Sequence, residues 1–384
     1  GVFYDVGYGA AGGSFGGAPF SSVLTLSKVN FPLLAKYLAA PSMPPTRPYG
    51  QVVSADTNLK APAVWQWNAT WEKNFGVGTT LTLGYVGNAG RDLMRTETSA
   101  SYTGAYDIAM LATNGASSSY NGFQMQFRKR MSNRLQMQLS YTWSHSIDSS
   151  SGDMGGGGGG FASLFNSGQR GSSDYDIRHN ATLSGSYRLP APKNEWYFRP
   201  FRNWFVDFSA MARTGLPFDL QGVSSSTSSI VTTSRSTTTT TTSPSGLFAQ
   251  VRPSWNGYAI WVKDSNAPGG KRLNKDAFFI PSGYTQGNLS RNALRGFSAM
   301  QVDASLRRDI QITERFRLSL AAQGYNILNH PNFANPSSME GANMSSPDFG
   351  VVTRMLNQGF GGGVNGLYRS GGARSMELSL RLQF

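Results

Sequence analysis

The sequence predicts an all-β chain that forms part of an antiparallel transmembrane β-barrel, and three observations support this prediction. Apolar and polar residues alternate through about ten segments of roughly ten residues each, the length with which a tilted strand crosses a bilayer. Only 14% of the residues are charged, which is low beside the roughly one quarter usual in soluble domains. No apolar run approaches the roughly 18 residues that a transmembrane helix needs. If the chain crosses a membrane, it does so with strands.

The alternation is clearest over the last ten residues of the chain. Side chains of successive strand residues point to opposite faces. One face then consists of apolar residues, namely Met376, Leu378, Leu380, Leu382 and Phe384. The other face is polar and consists of Ser375, Glu377, Ser379, Arg381 and Gln383.

The same pattern predicts nine further strands along the chain. They cover residues 2–8, 65–72, 79–85, 123–128, 135–143, 181–189, 204–212, 300–307 and 315–323. A soluble antiparallel sandwich is the alternative, because its strands also alternate. The polar faces are rich in Gln, Ser, Thr, Asn and Arg, which suits a water-filled lumen better than the charged exterior of a sandwich.

Connections between the predicted strands alternate between short and long. The short ones are 74–78, 131–133 and 312–314, and a medium one covers 190–203. The long ones are 10–62, 91–119, 147–175, 221–297 and 329–372. This rhythm is typical of outer-membrane barrels, which have tight periplasmic turns and long extracellular loops. If Phe384 ends on the periplasmic side, every short turn falls on that side.

Two low-complexity tracts lie inside the predicted loops. Residues 155–160 are all glycine, and residues 224–245 are mostly Ser and Thr. Neither tract carries side chains that build a core, so both are expected in loops. We therefore interpret 1–384 as a single outer-membrane barrel segment in which 221–297 is a long extracellular loop that includes the Ser/Thr tract.

The alternation also assigns candidate functional residues. Charged residues on the polar faces would line the lumen, and they are Arg128, Arg307, Arg317, Glu377 and Arg381. Aromatic residues near predicted strand ends would sit at the membrane interfaces, where rings with one apolar and one wet side are favoured, and they are Trp65, Trp67, Tyr141, Trp143 and Trp204. The terminal Phe384 closes an apolar series, which resembles the C-terminal signal that the barrel-assembly machinery reads.

Other chemistry finds little support in the sequence. The formal net charge is +13, but Lys and Arg are scattered rather than gathered in a stripe, so a nucleic-acid partner is not expected. The G-x-G-x-x-G pattern at 7–12 is followed by more glycines rather than by a helix, so no dinucleotide site is expected. Asp174, Asp176 and His179 are interpreted as a polar strand entrance rather than a metal site, and His145 lacks the other elements of a catalytic triad. We expect no enzyme, no metal and no cofactor.

Several stretches resemble the C-terminal barrel of large Oar-like TonB-dependent receptors, which carry an N-terminal carboxypeptidase-regulatory-like domain. They are GVFYD at 1–5, LGYVG at 83–87, YNGFQ at 120–124, SYTWSHSID at 140–148, SDYDIRH at 173–179, RNALRG at 291–296, YNILNHPNF at 325–333 and FG at 349–350. The resemblance implies a 22-stranded barrel with an N-terminal plug, of which this chain represents about the last ten strands. The plug, the N-terminal domain and the TonB-contacting segment would belong to residues outside this chain.

The resemblance implies energy-coupled uptake of a bulky ligand across the bacterial outer membrane. The implied partners are outer-membrane lipid, the barrel-assembly machinery, the plug, the TonB complex and an unknown ligand that is a glycan, a peptide or a siderophore. Two alternatives stay open at this point. One is a passive pore or small structural barrel in which these strands close on themselves. The other is a secreted β-rich adhesin that uses the long loops and the Thr tract for contact.

Overall fold

A computed structural model describes residues 49–76, 78–100, 106–132, 134–151, 162–163, 170–190, 202–222, 252–282, 287–336, 341–356 and 371–384. In these ranges the regular structure is β-strand apart from two short 3-10 turns, Pro268–Gly270 and Lys275–Ala277. A search of the same ranges for a helix both long and apolar enough to cross a membrane finds none.

The strands in chain order are β1 (Tyr49–Ala55), β2 (Ala63–Asn74), β3 (Thr79–Ala100), β4 (Tyr106–Ser132), β5 (Leu135–Asp148), β6 (Ala162–Ser163), β7 (Gly171–Ser172), β8 (His179–Arg188), β9 (Trp204–Arg213), β10 (Pro217–Phe218), β11 (Ser254–Trp255), β12 (Trp261–Lys263), β13 (Lys271–Leu273), β14 (Phe278–Phe279), β15 (Leu294–Arg295), β16 (Ala299–Gln311), β17 (Arg317–Tyr325) and β18 (Ser375–Gln383).

The long strands form one antiparallel sheet, in the order β18-β17-β16-β9-β8-β5-β4-β3-β2. Strands that follow one another along the chain are therefore neighbours in the sheet. The strands predicted from residue 65 onward are confirmed, whereas the predicted strand 2–8 lies outside the described residues. The predicted alternation of short and long connections is confirmed except between β3, which ends at Ala100, and β4, which begins at Tyr106. The end of the sheet at which β2 joins β3, β4 joins β5 and β16 joins β17 is called the short-turn end. The opposite end is called the long-loop end.

The pairing register brings the apolar positions of different strands onto one face. Residues that pair directly across an antiparallel ladder share a face. One such row crosses six strands and consists of Leu81, Phe127, Leu139, Leu183, Ala210 and Val302. We call this side of the sheet the apolar face and the other side the polar face.

The apolar face is open to its surroundings. Leu378 in β18 is 82% exposed and Leu139 in β5 is partly exposed, although both belong to the apolar series. In water, such a surface far exceeds the apolar patches that monomeric soluble proteins tolerate. The apolar face is therefore expected to contact an apolar environment rather than water.

The register also gives the tilt of the strands. One ladder row contains Thr79, Lys129, Met137, Gly185, Phe208, Ala304, Gly324 and Met376. It starts at the short-turn end of β3 and finishes near the long-loop end of β18. The row shifts by about eight residues, from Met376 to Phe384, over seven strand steps. At roughly 3.3 Å per residue and 4.8 Å between strands, this shift corresponds to a tilt of about 40°. Barrel walls have tilts of roughly 35–45°.

The predicted loop 91–119 is wrong. β3 continues to Ala100 and β4 begins at Tyr106, so the hairpin extends well beyond the predicted strands 79–85 and 123–128. The pairing shifts register between Gly90 and Arg95, as β-bulges do, and this breaks the alternation on which the prediction relied. The predicted loop 10–62 also contains a strand, since β1 pairs in parallel with the extended part of β4.

Parts of the long loops fold into a small unit at the long-loop end, which we call the loop cap. It is formed by the described residues of 214–298 and 341–356 and contains the two-stranded pairs β10/β15, β11/β14 and β12/β13. Leu273 and Leu294 are almost completely buried there. The apolar core of the loop cap consists of Phe218, Leu220, Leu273, Ala277, Phe278, Leu289, Leu294, Ala342 and Phe349. The Ser/Thr tract and the glycine run lie outside the described residues.

Candidate functional site

The polar face of the sheet is lined with uncharged hydrogen-bonding side chains and a few ion pairs. A representative row contains Glu72, Thr82, Gln126, Ser140, Thr182, Met211 and Gln301. The Thr82 hydroxyl donates to the Glu72 carboxylate at 3.4 Å. This composition is what a hydrated lumen wall requires, because each polar group either pairs across the ladder or contacts water.

Arg307 is the centre of the most connected group on the polar face. Its Nε lies 3.2 Å from the Asp207 carboxylate, and its guanidinium also bonds Asp309. The Ser319 hydroxyl donates to Asp309 at 2.8 Å. The guanidinium carbon is 4.4 Å from the centroid of the Phe205 ring, which is a favourable cation–π distance. Arg307 is therefore held by contacts from β9 and from its own strand β16, and β17 contributes through Ser319, which bonds Asp309.

The other candidate lumen residues occupy the same face but do not form one cluster with Arg307. Arg128 pairs across the ladder with Thr80 and Gln138, at the short-turn end of β4. Arg317 donates to Gln311 at 3.2 Å. Glu377 and Arg381 lie on β18, where Arg381 pairs with Ser319 and Glu377 pairs with Gln323. The structure thus distributes the candidate residues along the wall, and their role in ligand passage stays a prediction.

The candidate interface aromatics lie on the apolar face, in two groups. Trp65, Trp67, Tyr141 and Trp143 lie toward the long-loop end, and Trp204 begins β9 at the short-turn end. Trp67 covers the backbone of its ladder partner Gly87, because a Cβ built on Gly87 would lie only 2.3 Å from the indole ring. The Tyr141 hydroxyl lies 2.8 Å from His179 Nδ1. Phe384 is 94% exposed at the end of the chain.

A buried ionic network joins the loop cap to the end of β5. The Arg291 side chain is only 5% exposed, and it bonds the Asp148 carboxylate, the Asp174 carboxylate at 3.2 Å and the Ser151 hydroxyl at 2.5 Å. Its neighbour Asn292 has a positive φ of 54°. Because arginine stays charged and bridges two separate loops, this contact fixes the position of one loop against the other.

A second part of the network surrounds Asp176. Arg295 and Arg178 both bond its carboxylate, and His145 Nδ1 lies 3.2 Å from the same oxygen. Burial acts against the charged form of Asp176. The hydrogen bonds from the Ser146 N–H, Arg295 and His145 favour it, and the net effect holds the pKa of Asp176 below its ordinary value. Asp176 is therefore a carboxylate over the whole neutral range.

Sequence reasoning missed this network as a unit, although it considered several of its residues separately. Asp174, Asp176 and His179 were expected to form a polar strand entrance, and the structure places the two aspartates in a turn before β8 where arginines bind them. A signal was available in the family-like stretches 140–148, 173–179 and 291–296, which all meet here. No group of residues suited to hold a metal ion occurs in the described part of the chain.

Comparisons with known proteins place the chain in a family. The model of the outer membrane beta barrel domain matches residues 1–369, almost the whole chain. Among solved structures, the chain is similar to the outer membrane transporter YddB from Escherichia coli, with 11% sequence identity and a TM-score of 0.47. That alignment covers 87% of this chain and 34% of that structure, so the chain spans about a third of its length. A comparison with curated proteins finds no match.

The family match decides between the environments that the sequence left open, since it places the apolar face in lipid and argues against a secreted form. In barrels of this kind the tight turns are generally periplasmic and the long loops extracellular, and the extracellular position of the loop cap stays a prediction. The chain belongs to the outer membrane β-barrel domain family, and its location is the bacterial outer membrane.

Proposed function

We propose that the chain is part of the barrel of a TonB-dependent receptor that imports a bulky ligand by energy-coupled transport, without an enzymatic step. The observation that carries the proposal is the combination of a polar wall with a folded, ion-paired loop cap at its extracellular end. A wall that only anchors a protein needs neither a hydrated inner face nor ordered extracellular loops. A receptor uses both, the loops for binding and the wall for passage.

The open edges of the sheet support a larger barrel. Within the described ranges β2 pairs only with β3, and β18 pairs only with β17. An unpaired strand edge in hydrocarbon costs several kcal/mol for each unsatisfied backbone group. In the proposed receptor, further strands pair with these edges and complete a ring of about 22 strands, a size known for barrels with a plugged lumen.

The proposal gives the candidate residues distinct roles. Arg307 and its acidic partners offer both charges to the surface of a plug, and the candidates Arg128, Arg317, Glu377 and Arg381 line the remaining passage. The network around Arg291 holds the extracellular loops in position for ligand capture. The interface aromatics and the terminal Phe384 serve membrane anchoring and recognition by the assembly machinery.

Two measurements on the full-length protein test this function. In planar bilayers, a plugged receptor conducts no steady current, whereas a passive pore shows stable open channels. In a binding assay with the purified periplasmic domain of TonB, the receptor is retained and a passive pore is not. Steady channels together with no TonB binding would overturn the proposal in favour of the pore.

A further inference from the structure

A phenylalanine stands between two arginines on the polar face of the sheet. Phe205 of β9 pairs across the ladder with Arg188 of β8 and with Arg307 of β16, so the three residues form one row on this face. The guanidinium carbons of Arg188 and Arg307 lie 6.0 Å and 4.4 Å from the centroid of the Phe205 ring. Both distances suit a cation–π contact, so one ring positions two cations. We call these three residues the arginine–phenylalanine row.

The two arginines of the row have different partners. Arg307 is neutralised by the carboxylates of Asp207 and Asp309. Arg188 is exposed, and its Nη2 donates to the side-chain oxygen of Asn203 at 3.0 Å. Within the described ranges, the Arg188 guanidinium therefore contacts an amide and an aromatic ring, both of which are neutral.

These contacts prepare Arg188 to bind an anion. The guanidinium group has more N–H donors than the single one that Asn203 accepts. Its planar fork matches the oxygens of a carboxylate or a phosphate, and contact with an aromatic ring leaves N–H groups available for them. A side chain that is already held by a ring and an amide loses less conformational freedom on binding than a mobile arginine does.

The surroundings of the row carry an excess of positive charge. Toward the short-turn end, the polar face of the described strands β8, β9 and β16–β18 carries four arginines and two aspartates, namely Arg188, Arg307, Arg317, Arg381, Asp207 and Asp309. Arg317 and Arg381 pair across the ladder with Gln383 and Ser319, which are neutral. A surface of this charge attracts an anion to the row.

We infer that the arginine–phenylalanine row is an anion subsite on the lumen wall, in which Arg188 binds a carboxylate or phosphate group and Phe205 and Asn203 position its guanidinium. The anion belongs either to the molecule in passage or to a polypeptide segment that fills the lumen. The inference deepens the proposed function and rests on it for these two sources. The chemistry of the subsite depends on the described wall alone.

Chemical modification tests the subsite in the full-length protein reconstituted in nanodiscs. Phenylglyoxal modifies accessible arginines, and mass spectrometry of the digested protein reports the rate at each of them. At constant ionic strength, we expect saturating inorganic phosphate to slow the modification of Arg188 by about tenfold. Arg128 is the internal reference, because it is exposed on the same face and its ladder partners, Thr80 and Gln138, are not aromatic. Its rate should not respond to phosphate.

The variant Phe205→Leu tests the positioning role of the ring. It keeps both arginines but removes the cation–π contacts, and it should raise the phosphate concentration that half-protects Arg188 about two- to fivefold. Heat-modifiable mobility on gels verifies that the variant has folded. An unchanged half-protecting concentration would show that the row does not act as a unit and would overturn the inference.

A second experiment identifies an anion that the full-length protein supplies itself. In that case Arg188 resists phenylglyoxal even without phosphate. In Arg188→Lys, a water-soluble carbodiimide then joins the new amine to the bound carboxylate, which mass spectrometry locates. A cross-link to a residue outside this chain supports a segment in the lumen, whereas phosphate protection without a cross-link supports an anion from the molecule in passage.

Three results would overturn the anion subsite. One is a cross-link within this chain, for example to Glu195 in the connection after β8, because the row would then be a local ion pair. Another is modification of Arg188 that does not respond to phosphate, together with the absence of any cross-link. The third is equal protection of Arg128. None of these results depends on TonB binding, so a failure of the subsite is distinguishable from a failure of the proposed function.

Discussion

The substitution Leu139→Arg measures how deeply the apolar face is immersed in lipid. Leu139 lies midway along the apolar series of β5, four residues from both Leu135 and Trp143. Its ladder partners are Phe127 and Leu183. Four residues at a tilt of about 40° correspond to roughly 10 Å along the membrane normal. An arginine at this depth has no route to either interface that avoids hydrocarbon. We expect the free energy of unfolding to fall by about 2–4 kcal/mol.

The matched control is Ser140→Arg, which places the same side chain one residue further on the polar face. There the guanidinium is solvated, and the expected change is within about 0.5 kcal/mol. Urea unfolding of the full-length protein in lipid vesicles, followed by tryptophan fluorescence, compares the two. Equal losses for both variants, or a larger loss for Ser140→Arg, would show that the assignment of the faces is incorrect.

The remaining predictions concern the network between the loop cap and β5. Arg291→Ala leaves the buried Asp148 carboxylate without its partner and should weaken the docking of residues 287–298 by about 3–5 kcal/mol, seen as faster amide exchange there but not in the sheet. The partly exposed pair Arg272–Asp264 in the same cap provides the control, since Arg272→Ala should cost at most about 1 kcal/mol. Because the pKa of Asp176 is lowered on folding, its stabilisation is complete above the unfolded value of about 3.9 and is lost as the pH falls through the folded value. Amide protection of residues 170–178 should therefore hold from pH 7 to pH 5 and decline below about pH 4, a decline that Asp176→Asn should reduce; a loss between pH 7 and pH 5 would contradict this.

The strands of the sheet could be predicted because their pattern is local. Alternation with period two fixes which residues share a face, and it identified the belt strands from residue 65 onward. The prediction failed where the local pattern is interrupted, as in the bulged extensions of β3 and β4. It also ended one strand at residue 307, four residues before β16 ends.

The loop network could not be predicted from the sequence, because its contacts are long-range. Arg291 and Asp148 are 143 residues apart, and no periodicity relates them. The folded loop cap was missed for a related reason: its strands are two or three residues long, too short for alternation to be recognised.

The most direct test of the two-faced wall is the accessibility of spin labels placed one at a time along residues 136–143 of β5. Oxygen dissolved in the acyl chains should broaden the signals from residues 137, 139 and 141, and a water-soluble nickel reagent should broaden those from 136, 138 and 140. We predict two opposed profiles with a period of two residues. Profiles that rise and fall together, or oxygen maxima at the even-numbered positions, would contradict the lipid-facing assignment on which the proposed transport function depends.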